Sequence, residues 1–463
     1  MFSKETYIQR RAALRNRLSS GIVLFLGNID NPINFKDNCY PFRQDSTFLY
    51  YFGLSVPFIA AIIDLDEDKS IVFGDELSID DIVWMGQQET LQAKCAKSGV
   101  AQTSPSGSLS TFIQKAIDSK RTIHFLPPYQ SSSKIRLSEL LQVPVSNLKP
   151  SVSLIKAVVA QRSIKEPQEI TEIEKALQVA TEMHLLAMRL GNIGTKEYEI
   201  VNAMQHYAGD HNCSFAYPPI VTRHGEILHN HHYHNTFGKG DMVLNDSGVE
   251  TSLGYASDLT RTFPADTTFT PLQRDMYQIV LDSFESSRNL LQPGVSFKSI
   301  HLHATEILVQ GLKDIGLMRG NVADAVAAHA HSLFFQCGLG HMMGLDVHDM
   351  EDLGEQYVGY TDENPKDTTT FGIKSLRLGK ELEAGYVLTI EPGIYIIPEL
   401  IDIWQAENKL AEFINYDKLK EFRHFGGIRI EDNFLITPEG YRLLGPELIK
   451  SVEDIENYKQ AYA

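Results

Sequence analysis

Between Val243 and Pro264 the chain reads Val-Leu-Asn-Asp-Ser-Gly-Val-Glu-Thr-Ser-Leu-Gly-Tyr-Ala-Ser-Asp-Leu-Thr-Arg-Thr-Phe-Pro. Apolar and β-branched residues flank a Thr-Ser-Leu-Gly turn region on both sides, the pattern of a β-hairpin. Centred on Ser252, such a hairpin sets Asp246 directly opposite Asp258, with both carboxylates on one face of the sheet. Two carboxylates held that close repel strongly away from water, so either one keeps a proton or a cation sits between them. The alternative is a solvated hairpin whose two acids never meet.

At 463 residues the chain can bury a large core and favours two domains, or one with a sizeable appendage. Its net charge of −17, with no basic stripe, argues against a nucleic-acid partner. Cys39, Cys95, Cys213 and Cys337 are far apart and form no CxxC pair. That argues against a disulfide framework or zinc ribbon and suits a reducing compartment. The stretch Glu5–Leu18 has the pattern of a charged amphipathic helix, not of a secretory signal. No apolar run reaches membrane-spanning length. The expectation is a cytoplasmic protein without a membrane partner.

The first 150 residues alternate strand-like runs, Gly21–Gly27 and Ile59–Asp64, with helical stretches such as Asp80–Lys97. This predicts a mixed α/β domain. A connecting helix is expected over 151–167, between Pro150 and Pro167. The domains are placed at 1–158 and 159–463. In the second, helical patterns at 168–190, 196–209, 271–291 and 297–317 separate strand-like runs. Two of those runs are Val387–Pro392 and Gly427–Ile436. The predicted class is α+β, with helices on one face of a sheet.

Further chemistry-bearing residues fall in these runs. Gly340-His341-Met-Met-Gly-Leu-Asp-Val-His348-Asp surrounds a histidine with glycines, which suits close approach of a ligand or ion. Glu391 and Glu431 each interrupt an otherwise apolar strand pattern. A glutamate there lies either on a solvent-facing edge or buried with a partner, because burying it alone is costly.

Asp246, Asp258, His341, Glu391 and Glu431 match, in type and order, the metal ligands of the pita-bread metallopeptidases. That is the family of methionine aminopeptidase, aminopeptidase P and prolidase. The resemblance covers the whole second domain. It rests on Tyr-Ala-Ser-Asp-Leu-Thr-Arg-Thr-Phe-Pro, Gly-His-Met-Met-Gly-Leu-Asp-Val-His-Asp, Thr-Ile-Glu-Pro-Gly-Ile-Tyr and Gly-Ile-Arg-Ile-Glu-Asp-Asn. It implies a pita-bread fold and two divalent metal ions on those five residues. Four carboxylates balance two dications, and an oxygen-rich set with one imidazole favours Mn²⁺, with Co²⁺, Fe²⁺ or Zn²⁺ as alternatives. The aspartates here are 12 apart (258 − 246), one more than the family's commoner spacing. The extra residue enlarges the hairpin loop or makes a bulge.

The resemblance implies more. His348 matches a histidine that steadies the tetrahedral intermediate. His229, 17 positions before Asp246 (246 − 229), matches a histidine near the substrate. The neighbouring His231, His232 and His234 are read as loop histidines. Cys337 stands where the family often has a histidine. Tyr40–Gly53 resembles the N-domain signature of aminopeptidase P and prolidase. The long segment between Glu391 and Glu431 resembles prolidase. So does Arg377, 14 before Glu391 (391 − 377), which matches the arginine that holds a dipeptide's C-terminal carboxylate. The implied activity is an Xaa-Pro dipeptidase, acting on small peptides with proline in second position. In it a hydroxide bridging the two metals attacks the scissile carbonyl, and Glu391 relays the proton. The alternatives are an Xaa-Pro aminopeptidase acting on longer peptides, or a metal-free binding module on the same fold. By analogy with prolidases, a homodimer is expected.

Overall fold

The apolar runs of the first third of the chain become strands. Gly21–Gly27 yields β1 (Ile22–Leu26), and Ile59–Asp64 yields β2 (Ala60–Asp64). With β3 (Lys69–Phe73), β4 (Gln102–Ser104) and β5 (Ile123–His124) they form one five-stranded sheet in the order β4-β3-β2-β1-β5. The central pairings are antiparallel, and both outer strands run parallel to their neighbours. Ile22, Leu24, Ile62 and Phe73 of this sheet pack with Leu109, Ile113 and Leu137 in an apolar core.

The structure is a computed structural model that describes residues 1–462. The chain divides into two compact units, Met1–Arg162 with Met350–Tyr357, and Ser163–Asp349 with Val358–Ala463. In the first unit, helix α1 (Lys4–Arg15) buries Tyr7, Arg10, Arg11 and Leu14, in line with its amphipathic pattern. The single helix expected over Asp80–Lys97 is instead two, Ile79–Met85 and Leu91–Lys97. Gly86, at φ +75°, stops the first, and Thr90 caps the second by accepting the Ala93 N–H. The connecting helix is α2 (Val152–Arg162). Pro167, whose missing N–H costs nothing at a helix start, opens the next one.

In the second unit the expected helices appear as α3 (Pro167–Leu190), α4 (Glu197–Asp210), α5 (Pro271–Arg288) and α6 (Phe297–Asp314). The acidic hairpin pairs β7 (Met242–Ser247) with β8 (Leu259–Pro264), and β6 (Ile220–Thr222) adds to the free edge of β7. Its register differs from the expectation. Asp246 pairs with Thr260, and the same register continues to the Glu250–Ala256 bridge, so the hairpin is centred on Leu253. Asp258 therefore stands opposite Gly248, diagonal to Asp246. A shift of two residues keeps the side chains on one face, so the carboxylates still share it. No bulge interrupts the ladder, and the added length lies in the loop.

Residues of β7 are buried on both faces. Toward α3, Asn245 and Ser247 are satisfied by the buried His184. The His184 Nε2–H donates to the Ser247 carbonyl at 3.0 Å, and its Nδ1 accepts from Asn245 Nδ2 at 3.1 Å. Burial lowers this imidazole to about 4 and keeps it neutral. Gly248 lies against the opposite arm, where an added Cβ would meet the Ser257 carbonyl at 1.9 Å. Only glycine lets the two arms close there.

The later strands are β9 (Val387–Ile390), β10 (Gly393–Tyr395), β11 (Gly427–Arg429), β12 (Asp432–Thr437) and β13 (Gly440–Leu443). The run Gly427–Ile436 is thus two strands, not one. Strand β11 pairs with β10, whereas β12 lies between β9 and β13. Glu431 sits at the changeover. It is tied to the acidic hairpin by its own N–H, which donates to the Thr260 carbonyl at 3.0 Å. The fully buried pair Arg261–Asp432, at 2.6 Å, joins β8 to β12, and the arginine also donates to the carbonyls of Glu431 and Leu448. Lys450 Nζ stands 3.5 Å from the other Asp432 oxygen, and losing one partner of so buried a pair would be strongly destabilising.

Candidate metal centre

Five separate segments bring the candidate ligands to one cavity of about 300 Å³. Asp246 comes from β7 and Asp258 from just before β8. Glu391 follows β9, and Glu431 lies between β11 and β12. His341 comes from the glycine-rich loop. There Gly340 has no room for a side chain, since a Cβ would meet the Thr389 carbonyl at 2.1 Å. The Thr389 N–H donates to the His341 carbonyl, and the Glu391 N–H to that of Leu339, so the loop is bonded along the edge of the strand carrying Glu391.

His341 Nδ1 donates to the Met342 carbonyl at 3.0 Å. That bond fixes the tautomer and turns Nε2 toward Asp258 (3.3 Å) and Glu391 (3.4 Å). The donor atoms of Asp258, His341 and Glu431 lie within 4.8 Å of one another, and all three residues are buried. Glu431 Oε2 accepts from the Thr260 hydroxyl at 2.7 Å, while its Oε1 is buried without a partner.

The electrostatics are those of an overcrowded acid cluster. Burial pushes the Asp246 and Glu391 carboxyls up, and it drives Glu431 well above the usual range, reinforced by Asp258 and Glu391. Burial also opposes charge on Asp258. There the hydrogen bond from His341 and the His341 charge outweigh it, and the net direction is down. Burial likewise opposes charge on His341, but Asp258 and Glu391 reverse the direction and raise it. Left to itself, the cluster must hold protons to survive burial. Four carboxylates, one oriented imidazole and an unsatisfied buried oxygen are the donor set that a divalent cation completes.

The cavity also contains His229, His348 and Arg377. The His348 ring meets that of His341 edge to face, with centroids 4.3 Å apart. Burial lowers His229, opposed by the charge of Asp246. Cys337 lines the wall, where burial pushes its thiol up to about 12.

Three polar lining residues were not anticipated. Tyr217 places its hydroxyl 2.7 Å from Asp246 Oδ1 and 2.5 Å from Asp258 Oδ1. Burial and the charges of both aspartates hold this phenol well above its ordinary range. No pattern around Tyr217 marks it in the sequence. Arg429 pairs with Asp246 and donates to the Tyr395 hydroxyl at 3.0 Å. It lies two residues before Glu431 in an alternating run, which places it on the same strand face, and that signal was there to be read. His231 also lines the cavity, its ring stacked with that of His229 at 6.4 Å, whereas His232 and His234 form a separate stacked pair.

A model described as metallopeptidase family M24 matches residues 171–438, and one described as the aminopeptidase P N-terminal domain matches residues 7–124. The chain is 30% identical over 450 residues to Homo sapiens Xaa-Pro dipeptidase, covering 95% of this chain and 88% of that one. It is 29% identical over 467 residues to Escherichia coli Xaa-Pro aminopeptidase, covering 98% and 97%. A solved structure of Escherichia coli aminopeptidase P with the inhibitor Pro-Leu superposes with a TM-score of 0.81 at 27% identity, over 100% of this chain and 99% of that one. The Pseudomonas aeruginosa aminopeptidase superposes equally well, at 0.81 and 25% identity.

Proposed function

Because this chain belongs to metallopeptidase family M24, with that family's pita-bread domain following an aminopeptidase P-type N-terminal domain along the sequence, we propose that it is an Xaa-Pro dipeptidase. The observation carrying this reading is Arg377. It lines the same cavity as the five candidate ligands. A planar guanidinium suits bidentate pairing with a carboxylate. Held near an acid cluster, it favours a substrate whose own C-terminus lies within the pocket. A volume of about 300 Å³, at the small end of ligand pockets, fits a dipeptide better than a longer chain.

Asp246, Asp258, His341, Glu391 and Glu431 would hold two divalent ions, Mn²⁺ foremost with Co²⁺, Fe²⁺ or Zn²⁺ as alternatives. When bound, these supply acidified water and polarisation of the scissile carbonyl. The chain's own side chains do the rest. Arg377 holds the substrate carboxylate. His229 and His348 hold the substrate at the scissile bond, with His348 donating to the oxyanion as it develops. Glu391 passes a proton to the departing imino nitrogen of proline. Proline has no amide N–H to offer, so recognition must come from these flanking contacts.

A second reading, an Xaa-Pro aminopeptidase for longer peptides, is favoured by the end-to-end superposition on aminopeptidase P. Product analysis with an Xaa-Pro dipeptide and an Xaa-Pro-Yaa tripeptide, side by side with added Mn²⁺, separates the two. Cleavage of the tripeptide with the dipeptide untouched overturns the dipeptidase reading. The four cysteines are free thiols, which suits a cytoplasmic location, and no described helix is long and apolar enough to cross a membrane. A homodimer is the assembly we propose, to be read by sedimentation.

A further inference from the structure

Glu197, the first residue of α4, is fully buried. A carboxylate in that position is costly unless N–H groups surround it, and a helix N-terminus helps to stabilise it. Its partners all come from two residues. Oε1 accepts the Arg223 backbone N–H at 3.0 Å, and Oε2 accepts the Asn235 backbone N–H at 3.1 Å. The Asn235 side-chain amide donates to both oxygens, at 3.1 and 3.0 Å. Arg223 and Asn235 flank the segment 224–234, which carries His229 and His231. One side chain therefore closes that segment into a loop.

The loop is also held at Tyr233, whose carbonyl accepts the Tyr198 N–H at 3.2 Å and whose hydroxyl donates to the Pro219 carbonyl at 2.6 Å, and it is pinned at its centre. Asn230, buried between the two histidines, donates to the Thr222 hydroxyl at 2.9 Å and accepts the His232 N–H at 3.0 Å. Thr222 belongs to β6, which is hydrogen-bonded to the strand carrying Asp246. With Asn230 turned inward, its neighbours His229 and His231 stack against each other and both line the cavity.

We infer that Glu197 is a positioning residue: it closes the 224–234 loop so that His229 faces the substrate, with Asn230 as the second pin. The substrate half of this inference rests on the proposed Xaa-Pro peptidase reading, and the loop half does not. The carboxylate is needed rather than a neutral amide, because three N–H groups converge on it. A glutamine offers one acceptor oxygen and turns its own N–H groups toward donors, so one end of the loop is released.

The test combines kinetics with hydrogen exchange on the full-length, Mn²⁺-loaded protein. Glu197→Gln, His229→Ala and the double variant are assayed on Xaa-Pro substrates, with Asn230→Ala as a second release of the loop that disturbs no buried charge. Each single change should lower kcat/KM by about 10²-fold, the size expected from a small misplacement of a substrate-positioning group. Adding Glu197→Gln to His229→Ala should cost less than about threefold more, because both act through one imidazole. Peptides from 224–234 should exchange at least about tenfold faster in Glu197→Gln and in Asn230→Ala, with bound metal unchanged. Losses that multiply in the double variant, or unchanged exchange in this segment, overturn the inference. If Glu197→Gln does not fold, Asn230→Ala with its His229→Ala double variant decides on the same criteria. If the wild-type protein cleaves neither peptide, the activity reading fails, while the exchange data still decide whether Glu197 closes the loop.

Discussion

Arg429 sets its guanidinium against the carboxylate of Asp246, 183 residues earlier in the chain, inside the wall of the acid cavity. Its remaining donors reach the Tyr395 hydroxyl at 3.0 Å and the Thr260 hydroxyl at 3.1 Å, so it is held from three sides. With this cation counted, four carboxylates carry −3. One dication leaves −1, and a second brings the site to +1. Replacing Arg429 by Met should therefore tighten binding of the first divalent ion while lowering kcat/KM by at least about 10²-fold, since Asp246 loses its orienting partner. Metal titration calorimetry with steady-state kinetics checks both halves. Wild-type activity in the variant would show that the pair has no part in orienting the site.

Tyr217 brings one hydroxyl proton to two acceptors, so it bridges the diagonal carboxylates and sets their separation. Tyr217→Phe keeps the ring and removes the bridge. We expect divalent-ion affinity to fall by about 10- to 100-fold, the usual penalty for losing a group that orients a ligand. Competition against a chelator of known affinity measures this, and an unchanged affinity would dismiss the bridge.

Arg377→Ala should discriminate by substrate length. A charge-assisted bond of about 1.5–3 kcal/mol is lost only by a substrate whose carboxylate reaches it. KM for an Xaa-Pro dipeptide should rise by at least about tenfold, with little change for a tripeptide. Equal effects on both would remove the carboxylate-holding role.

His301 and His331 give the fold an acid limit. Both are buried, and none of their ring nitrogens has a hydrogen-bond partner. Burial lowers His301 to about 4, helped by Lys298, and lowers His331 to about 3, helped by His301 and His329. An unfolded histidine titrates near 6.5, so below that pH the unfolded chain takes up protons first and stability drops with it. The contribution is fully present above about 6.5 and is lost progressively from there down to about 4 for His301 and about 3 for His331, by roughly 1.4 kcal/mol per pH unit for each. Thermal melts at pH 7.5 and pH 5 should show a clear fall in Tm, smaller in His331→Phe. A variant with the wild-type pH dependence would refute this assignment.

Much of this architecture can be read from residue patterns, because long helices and short apolar strands announce themselves by period. The family resemblance, rather than the patterns themselves, gathered the glycine-flanked histidine and the two strand glutamates into one site, and His341, Glu391 and Glu431 line one cavity. What escaped depends on contacts formed only in three dimensions. The hairpin register slipped by two because a turn of Thr, Ser, Leu and Gly does not specify its own centre. Tyr217 has no periodic signature, and its role exists only where two aspartates converge. His231 looked like any loop histidine, and it reaches the cavity because Asn230 turns inward to Thr222. Gly86 could have divided the helix expected over Asp80–Lys97, but a glycine within a helical pattern is often tolerated.

The crowding of Gly248 against Ser257, and of Gly340 against Thr389, separates what can be re-engineered from what cannot. Any side chain at either glycine would wedge apart the backbones that hold the acids and the imidazole in place, so combinatorial libraries aimed at new specificities should leave both untouched. Within segment 224–234 the matching backbone-on-backbone contact falls on Gly225, where a Cβ would meet the Gly427 carbonyl at 2.5 Å. Diversity introduced at 231, which lines the cavity, would alter its wall while leaving the five acid and imidazole positions as they are.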